Sequence, residues 1–234
     1  MCKQPMELED LQQGKIFIID KPLNWTSFDV VNKIRWNIRK TFKLRKFKVG
    51  HAGTLDPKAT GVLVICVGKY TKKINELQSD DKTYTGTFKL GATTASYDTE
   101  QPEDETFPID HLTTEVIHET TQQFIGTIQQ YPPVHSAIKQ DGKRLYESAR
   151  AGEKVEVKSR EVVIHSFEIT SIELPFVKFK VRCGKGTYIR SLAYDFGKAL
   201  NSGAYLYQLC RIQSGEFKLE EADNGPLTQA YFLD

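Results

Sequence analysis

The stretch GHAGTLDPKATGVL at residues 50–63 places one carboxylate, Asp56, in a turn between a basic segment and an apolar strand. Asp56 precedes Pro57, and the proline ring pushes the residue before it away from the helical conformation. The glycines of the stretch allow backbone conformations that other residues avoid. An Asp-Pro turn taken alone is more often structural than catalytic. Its function must therefore be judged from the residues around it.

A basic segment directly precedes this turn. Residues 30–55 contain no acidic residue, although the net charge of the whole chain is only +2. Three aromatic residues, Trp36, Phe42 and Phe47, are interleaved with the basic ones. The basic residues are Lys33, Arg35, Arg39, Lys40, Lys43, Arg45, Lys46 and Lys48. Clustered positive charge attracts phosphate backbones; the alternative interpretation is a solvated helix face followed by a basic loop.

The composition excludes several classes of protein. The 234 residues suffice for one large domain or two small ones. The four cysteines form no CxxC pair, so we expect neither a zinc site nor a disulfide framework. The N-terminus lacks the pattern of a signal peptide, and no segment approaches about 20 consecutive apolar residues. We therefore expect a cytoplasmic protein with no metal and no membrane association. Because no coiled-coil pattern or exposed apolar stripe appears, we expect a monomer.

Hydrophobic periodicity predicts one α+β domain with a mostly antiparallel sheet. TSFD at residues 26–29 has the spacing of a capping box that opens an amphipathic helix with its basic residues outside. The apolar positions of this helix are Phe28, Val31, Ile34, Ile38 and Phe42. Strand patterns occupy residues 14–20, 62–67, 82–90, 155–172 and 176–183, and helical patterns occupy residues 112–124, 140–153 and 189–200. The acidic residues 97–119 are expected to form a solvated loop that leads into a helix.

A second glycine-containing motif, CGKGTYIRSL at residues 183–192, supplies a candidate partner for Asp56. Lys185 lies between two glycines rather than after them, which excludes a Walker phosphate loop. Arg190 is able to form a bidentate ion pair with Asp56, which would keep the carboxylate ionised and oriented. The alternative interpretation is that Arg190 caps a surface helix.

Three further side chains are candidates for contact with a substrate. Tyr84 and Tyr188 carry flat rings of the kind that stack on unpaired RNA bases, although a tyrosine on a strand is more often a core residue. His51 precedes Asp56 by five residues in the same turn. It is able to titrate or to hydrogen-bond a phosphate, and the absence of a second nearby histidine argues against a metal ligand.

Five ordered motifs, together with the turn at residues 50–63, resemble the bacterial TruB family of tRNA pseudouridine synthases, and the resemblance covers nearly the whole chain. The turn at residues 50–63 is similar to the family signature. The other motifs are KP at 21–22 with TS at 26–27, DKTY at 81–84, PPVHSAIK at 132–139 with GKRLY at 142–146, KGTYIR at 185–190, and GAYLYQLCR at 203–211. Because the motifs occur in one order, the combination is far more specific than any single motif.

The resemblance implies an activity, a fold and a site. The implied activity is the isomerisation of uridine-55 in the T loop of tRNA to pseudouridine, without a metal or an organic cofactor, together with a possible role in tRNA folding. The implied nucleophile or base is Asp56, kept ionised by Arg190 and directed at a flipped-out base. Attack on C1′, attack on C6 and removal of a ribose proton are the alternative first steps. Tyr84 would stack on the base, Tyr188 and Leu209 would form pocket walls, and His51 would contact the target nucleotide.

The same resemblance implies one pseudouridine synthase domain over residues 1–234. Its mixed, mostly antiparallel sheet would be flanked by helices and interrupted by an RNA-binding thumb loop at about residues 132–160. Three departures from the family pattern stand out. Asn24 replaces a usual glycine, His135 replaces a common aromatic residue in the thumb, and the 234 residues leave no room for the C-terminal RNA-binding (PUA) domain of many members.

Two other functions use part of the same residue set. A non-catalytic RNA-binding or chaperone protein would use the basic segment but would not need Asp56, Tyr84 and Arg190 together. A glycoside hydrolase would use a carboxylate nucleophile, but it needs a second positioned acid, and no other acidic residue lies in a comparable glycine-rich turn.

Overall fold

The computed structural model describes residues 6–133, 139–140, 143–144 and 157–232. The chain divides into two compact units, which are Met1–Tyr84 with Cys210–Asp234, and Thr85–Leu209. Most of the proposed thumb, including His135 and much of the helical pattern at 140–153, lies outside the described residues. The described elements are strands of a mostly antiparallel sheet and a few helices, so the expected α+β class and the mostly antiparallel sheet are confirmed.

The first unit carries the strand order β1-β3-β12, with β2 also paired to β3 and β13 paired to β12. Its elements are α1 (Leu8–Gln13), β1 (Lys15–Lys21), α2 (Ser27–Thr41), β2 (Val49–His51), β3 (Ala59–Val67), α3 (Ile74–Leu77), the first residues of β4 (Lys82–Leu90), the last residues of β12 (Ala204–Ser214), and β13 (Phe217–Lys218). The 3₁₀ turns are Gly68–Lys73, Leu219–Glu221, Gly225–Leu227 and Gln229–Phe232. β1 and β3 pair antiparallel in an unbroken register from Lys15↔Val67 to Lys21↔Gly61.

Helix α2 begins where the sequence predicts. Thr26 accepts a hydrogen bond from the backbone N–H of Asp29, and the Asp29 carboxylate accepts one from the backbone N–H of Thr26, which completes the capping box. Val31, Ile34 and Ile38 are buried as expected. Phe28 is not: 60% of its surface is exposed, because the buried stripe of the helix starts at Ser27 and Val30 and leaves Phe28 on the outer side.

The second unit carries the antiparallel ladder β7-β10-β11 and the neighbouring residues of β4 and β12. Its elements are β5 (Ala92–Thr94), β6 (Glu103–Thr106), α4 (Thr114–Thr120), the 3₁₀ turn Thr121–Phe124, β7 (Gly126–Gln130), β8 (Lys139–Gln140), β9 (Lys143–Arg144), β10 (Arg160–Glu173), β11 (Phe176–Cys183) and α5 (Ile189–Ala199). Phe88 stacks on Phe179 at 4.1 Å, and Phe196 of α5 packs edge-on against Phe167 at 5.3 Å. This aromatic cluster fixes α5 on the sheet.

The acidic segment is more ordered than the sequence predicts. Residues 103–106 form the exposed strand β6, which pairs with β5, and α4 begins only after Thr113, whose hydroxyl accepts from the Val116 N–H. The strand forms because backbone pairing with β5 satisfies the peptide groups while the acidic side chains face water. Strands β1, β3, β4 and β11 and helix α5 agree with the predicted positions to within a few residues. The helix predicted over 140–153 is wrong where that segment is described, because Gln140, Lys143 and Arg144 belong to the paired strands β8 and β9. Strands β7 and β12 were not predicted.

Candidate active site

Asp56 lies half-buried in the irregular turn between β2 and β3 of the first unit. Its carbonyl accepts the backbone N–H of Ala59 at 3.1 Å, which closes the turn. Gly61 has a φ of +99°, and a Cβ there would collide with the carbonyl oxygen of Arg211. Only glycine fits such a position. The close approach of β12 to the first residues of β3 therefore depends on Gly61.

Ser27 ties the first turn of α2 to the residue before Asp56. Its hydroxyl donates to the carbonyl of Leu55 at 3.0 Å and accepts from the Leu55 N–H at 2.8 Å. Both residues are buried. Because a serine hydroxyl can donate and accept at once, it satisfies both the carbonyl and the N–H of Leu55, as a neighbouring strand would. The start of the helix thereby sets the position of the peptide that carries Asp56.

Lys21, at the end of β1, supports the turn on the side that follows Asp56. Its side chain has no exposed surface, and its ammonium donates to the carbonyls of Trp25 at 2.6 Å, Pro22 at 2.8 Å and Pro57 at 3.4 Å. Burial lowers the pKa of Lys21 to about 8, although the nearby Asp56 carboxylate raises it. Lys21 is thus a buried cation close to Asp56.

Asn24, which stands where the family usually has a glycine, adopts a backbone conformation that favours glycine. It has a φ of +65°, a left-handed conformation that asparagine tolerates better than most residues. Its backbone N–H donates to the carbonyl of Pro57 at 2.8 Å, and its side-chain oxygen accepts from Lys58 at 3.0 Å. This departure from the family pattern therefore preserves the contact with the Asp56 turn.

Arg211 completes the support of the turn from β12. The side chain is 1% exposed, and it donates to the carbonyls of Val62 at 2.7 Å, Gly53 at 3.0 Å and Thr54 at 3.5 Å. The planar guanidinium presents its donors in fixed directions, which suits it to bind these three carbonyls at once. Arg211 holds the part of the turn that precedes Asp56.

His51 lies in β2 within the same unit. Burial, with the neighbouring Arg211 charge as a second cause, holds the pKa of His51 below its usual value. Both causes favour the neutral form of the imidazole. Its Nδ1 is buried and has no hydrogen-bond partner in the part of the chain that the structure describes. A neutral imidazole can donate or accept a hydrogen bond, but it does not supply a positive charge to a phosphate.

Arg190 is buried in the first turn of α5 in the second unit. Its guanidinium lies 3.6 Å from the Asp98 carboxylate, both side chains being 4% exposed, and 3.4 Å from the carbonyl of Ser96. Ser96 also donates to Asp98 at 2.6 Å. Arg190 is therefore a buried, paired cation rather than the cap of a surface helix. Its pairing with Asp56 stays a prediction.

The remaining predicted residues are distributed over both units. Tyr84, on β4, is the last residue of the first unit and is 8% exposed. Tyr188, which precedes α5, and Leu209, on β12, are half-buried in the second unit. His51, Asp56 and Tyr84 thus belong to one unit, and Tyr188, Arg190 and Leu209 belong to the other.

The basic segment forms an exposed cationic surface of the first unit. Lys33 and Lys40 of α2 lie over the ring of Trp36 at 5.2 and 4.6 Å, and 48% of the Trp36 surface is exposed. Exposed basic residues continue beyond the helix at Lys43, Arg45, Lys46 and Lys48. Such a surface fits the phosphates of a nucleic acid.

Sequence reasoning missed Lys21, Ser27, Asp98 and Arg211 as residues that support the site. One signal was available for Lys21, because the alternation of β1 places it in phase with the buried Phe17 and Ile19. A charged residue at a buried phase of a strand indicates a bound partner. Ser27 was recognised only as part of a capping box and of the family motif at 26–27, and nothing local indicated Asp98 or the destination of Arg211.

Within the described residues, no cluster of His, Cys, Asp and Glu has the arrangement of a metal site. No helix among them is both long and apolar enough to cross a membrane.

Comparison with known proteins identifies the family. Residues 39–189 match the model of the TruB family pseudouridylate synthase N-terminal domain. The chain is 57% identical to the tRNA pseudouridine synthase B of Flavobacterium johnsoniae over 93% of this chain and 95% of that protein. It is 52% identical to the protein of the same name from Phocaeicola vulgatus over 91% of this chain and 90% of that one.

A solved structure, that of a Cbf5-Nop10-Gar1 complex, contains a similar fold. The match has a TM-score of 0.66 and 32% identity over 89% of this chain and 50% of the solved chain. The present chain therefore spans about half the length of that solved chain. The chain belongs to the TruB family of pseudouridylate synthases, and the expected pseudouridine synthase fold is confirmed.

Proposed function

We propose that this member of the TruB family isomerises uridine-55 in the T loop of tRNA to pseudouridine, with the Asp56 carboxylate as nucleophile. In this reaction the N1–C1′ bond of the uridine breaks and a C5–C1′ bond forms. C5 loses its proton to solvent, and N1 gains one. The reaction has no net redox change, so the residues of the chain and water supply every group that it needs.

The support of the Asp56 turn is the observation that carries this proposal. Three buried side chains, those of Lys21, Ser27 and Arg211, hold the backbone on both sides of Asp56. The carboxylate itself remains half-buried rather than enclosed. A fixed and accessible carboxylate suits covalent catalysis, in which one difficult step is divided into two easier ones. A protein that only bound RNA would have no use for such support.

The other residues have roles that their surroundings support. Arg190, which is buried 3.6 Å from the Asp98 carboxylate, would keep Asp56 ionised. The neutral imidazole of His51 suits a hydrogen bond to the target nucleotide better than an ion pair with its phosphate. Tyr84, Tyr188 and Leu209 would contact the flipped base. Extrusion of a base costs a few kcal/mol, which stacking on an aromatic ring offsets.

The cationic surface on and after α2 would hold the phosphates of the tRNA. Lys40, Lys43, Arg45, Lys46 and Lys48 are exposed, Lys33 and Arg35 are half-buried, and residues 30–55 carry no carboxylate. Binding through phosphate contacts is sequence-independent and depends steeply on salt. The T loop would then be selected by the pocket residues and the fold of the tRNA rather than by this surface.

The test is an Asp56→Asn variant assayed by tritium release from tRNA labelled at C5 of uridine. We expect no release above background, with tRNA affinity within a few-fold of the wild type, because an amide is a poor nucleophile of nearly the same size. Asp110→Asn, an exposed acid of the second unit, is the matched control and should be fully active. Sequence mapping of the product should place pseudouridine at position 55. Turnover by Asp56→Asn would refute the role of Asp56.

A further inference from the structure

Tyr188 is held from two directions by residues of neighbouring strands. Gln130, the last residue of β7, donates from its amide nitrogen to the Tyr188 carbonyl at 3.0 Å. The Gln130 amide oxygen accepts from the Tyr188 N–H at 2.7 Å. Gln130 has no exposed surface. These reciprocal bonds reproduce on one side chain the pairing that a neighbouring strand would give, so the Tyr188 backbone has one defined position.

Arg160, the first residue of β10, holds the ring of the same tyrosine. Its guanidinium carbon lies 4.6 Å from the centre of the Tyr188 ring, a cation–π contact. The same guanidinium donates a hydrogen bond to the carbonyl of Gly186. Gly186 has a φ of +83°, which brings its backbone beside Arg160 without steric cost. One face of the Tyr188 ring is thus covered by a fixed cation.

Gln130 and Arg160 are direct partners in the antiparallel ladder of β7 and β10. This cross-strand pair therefore holds residues 186–188. Gln130 binds the backbone of Tyr188, and Arg160 contacts its ring. The pair lies at the ends of β7 and β10 that border the segment 131–159. No catalytic chemistry requires an amide and a guanidinium here; the arrangement instead places one tyrosine ring.

We propose that Gln130 and Arg160 are positioning residues that set the Tyr188 ring against the target nucleotide. This inference rests on the proposed function of the site. With one ring face covered by Arg160, a base is able to stack only on the other face, and the direction of approach is thereby defined. The guanidinium also draws electron density from the ring and stiffens its position. Neither residue is expected to touch the reacting atoms.

The test is a double-mutant cycle of Arg160→Lys with Tyr188→Leu, measured as the single-turnover rate of tritium release. Arg160→Lys retains the charge but loses the planar contact, so we expect the rate to fall about tenfold while the tRNA dissociation constant stays within about twofold. In the Tyr188→Leu background, Arg160→Lys should have no further effect, because its target is gone. Arg182→Lys, the same change at an exposed position of β11, should leave the rate unchanged.

A merely structural role for Arg160 would lower the rate by the same factor with or without Tyr188. Multiplicative losses in the cycle, or a wild-type rate for Arg160→Lys, would overturn the proposal. Gln130→Glu keeps the acceptor for the Tyr188 N–H but sets a carboxylate oxygen against the Tyr188 carbonyl. We expect the same separation of rate from affinity in this variant.

A second measurement needs no substrate. In protein labelled with 3-fluorotyrosine, the fluorine resonance of Tyr188 is identified by its loss in Tyr188→Phe. It should shift by more than its line width in Arg160→Lys and not in Arg182→Lys. An unmoved resonance would overturn the positioning claim even if the enzyme is active. If wild-type protein releases no tritium while the resonance moves as expected, the proposed function fails and the positioning of Tyr188 stands.

Discussion

Replacement of Ser27 by alanine tests whether the support of the Asp56 turn matters for catalysis. The change removes a single oxygen atom and with it two hydrogen bonds, of 2.8 and 3.0 Å, to the backbone of Leu55. Each such bond contributes about 0.5–1.5 kcal/mol, and buried partners left unsatisfied cost more. We therefore expect the free energy of unfolding to fall by about 2 kcal/mol. The melting temperature should fall by about 4–8 °C for a chain of this size.

The effect on activity should exceed what this loss of stability explains. Leu55 is the residue before Asp56, so its release lets the nucleophile move away from its productive position. A misplacement of about 1 Å can cost up to about a hundredfold in rate. We expect the single-turnover rate of Ser27→Ala to fall by between about tenfold and a hundredfold at a temperature where the variant is fully folded. Affinity for tRNA should be unchanged, because Ser27 is buried.

Thr26→Ala is the matched control, since it removes the hydroxyl of the adjacent residue. That hydroxyl caps α2 and does not contact Leu55. Loss of the cap should cost about 1 kcal/mol of stability and leave the single-turnover rate at its wild-type value. If Ser27→Ala also retained a wild-type rate, or if both variants lost activity equally, the link between this hydroxyl and the nucleophile would be wrong.

Burial lowers the folded-state pKa of Lys21 to about 8, below the unfolded value of about 10.4. Between these pH values the unfolded chain holds more protons than the folded one, so the contribution of Lys21 to stability should rise as pH increases from 8 to about 10. The free energies of unfolding of wild type and Lys21→Met, measured in urea, should therefore diverge over this range. Parallel pH dependences would contradict the prediction. Asp98→Asn leaves the buried Arg190 without its carboxylate and should cost about 3 kcal/mol in thermal unfolding, whereas Asp110→Asn should cost almost nothing. Neutralising the exposed basic residues should weaken tRNA binding. The slope of log K against log[salt] should become less steep by about 0.9 for each phosphate that the protein no longer neutralises. An unchanged slope would place these residues away from the tRNA. The residues for that variant are Lys43, Arg45 and Lys46.

Local sequence signals predicted the elements that depend on local physics. The capping box at Thr26, the apolar run of β3 and the amphipathic pattern of α5 each specify backbone hydrogen bonding or burial within a few residues, and each is confirmed. The prediction that Phe28 is buried was wrong because it rested on the same local pattern alone. Periodicity states which residues share a face, but not where the edge of the buried stripe falls.

Long-range contacts of charged side chains could not be predicted in this way. The sequence marked Lys21 and Arg211 only as members of motifs and gave no sign of their burial, since an unpaired buried charge is costly. Their burial becomes favourable only when backbone carbonyls from distant segments converge on them. For Arg211 those carbonyls belong to Gly53, Thr54 and Val62, about 150 residues earlier in the chain.

The sequence alone determined the family, the α+β class and the identity of Asp56 as the candidate nucleophile. It did so because ordered motifs, capping residues and hydrophobic periods are written in neighbouring residues. The support of the Asp56 turn by Lys21, Ser27 and Arg211 became visible only in the folded structure. The same is true of the contacts that Gln130 and Arg160 make with Tyr188. The physical reason is that each of these side chains satisfies backbone groups of another segment, and such partners meet only after the chain has folded.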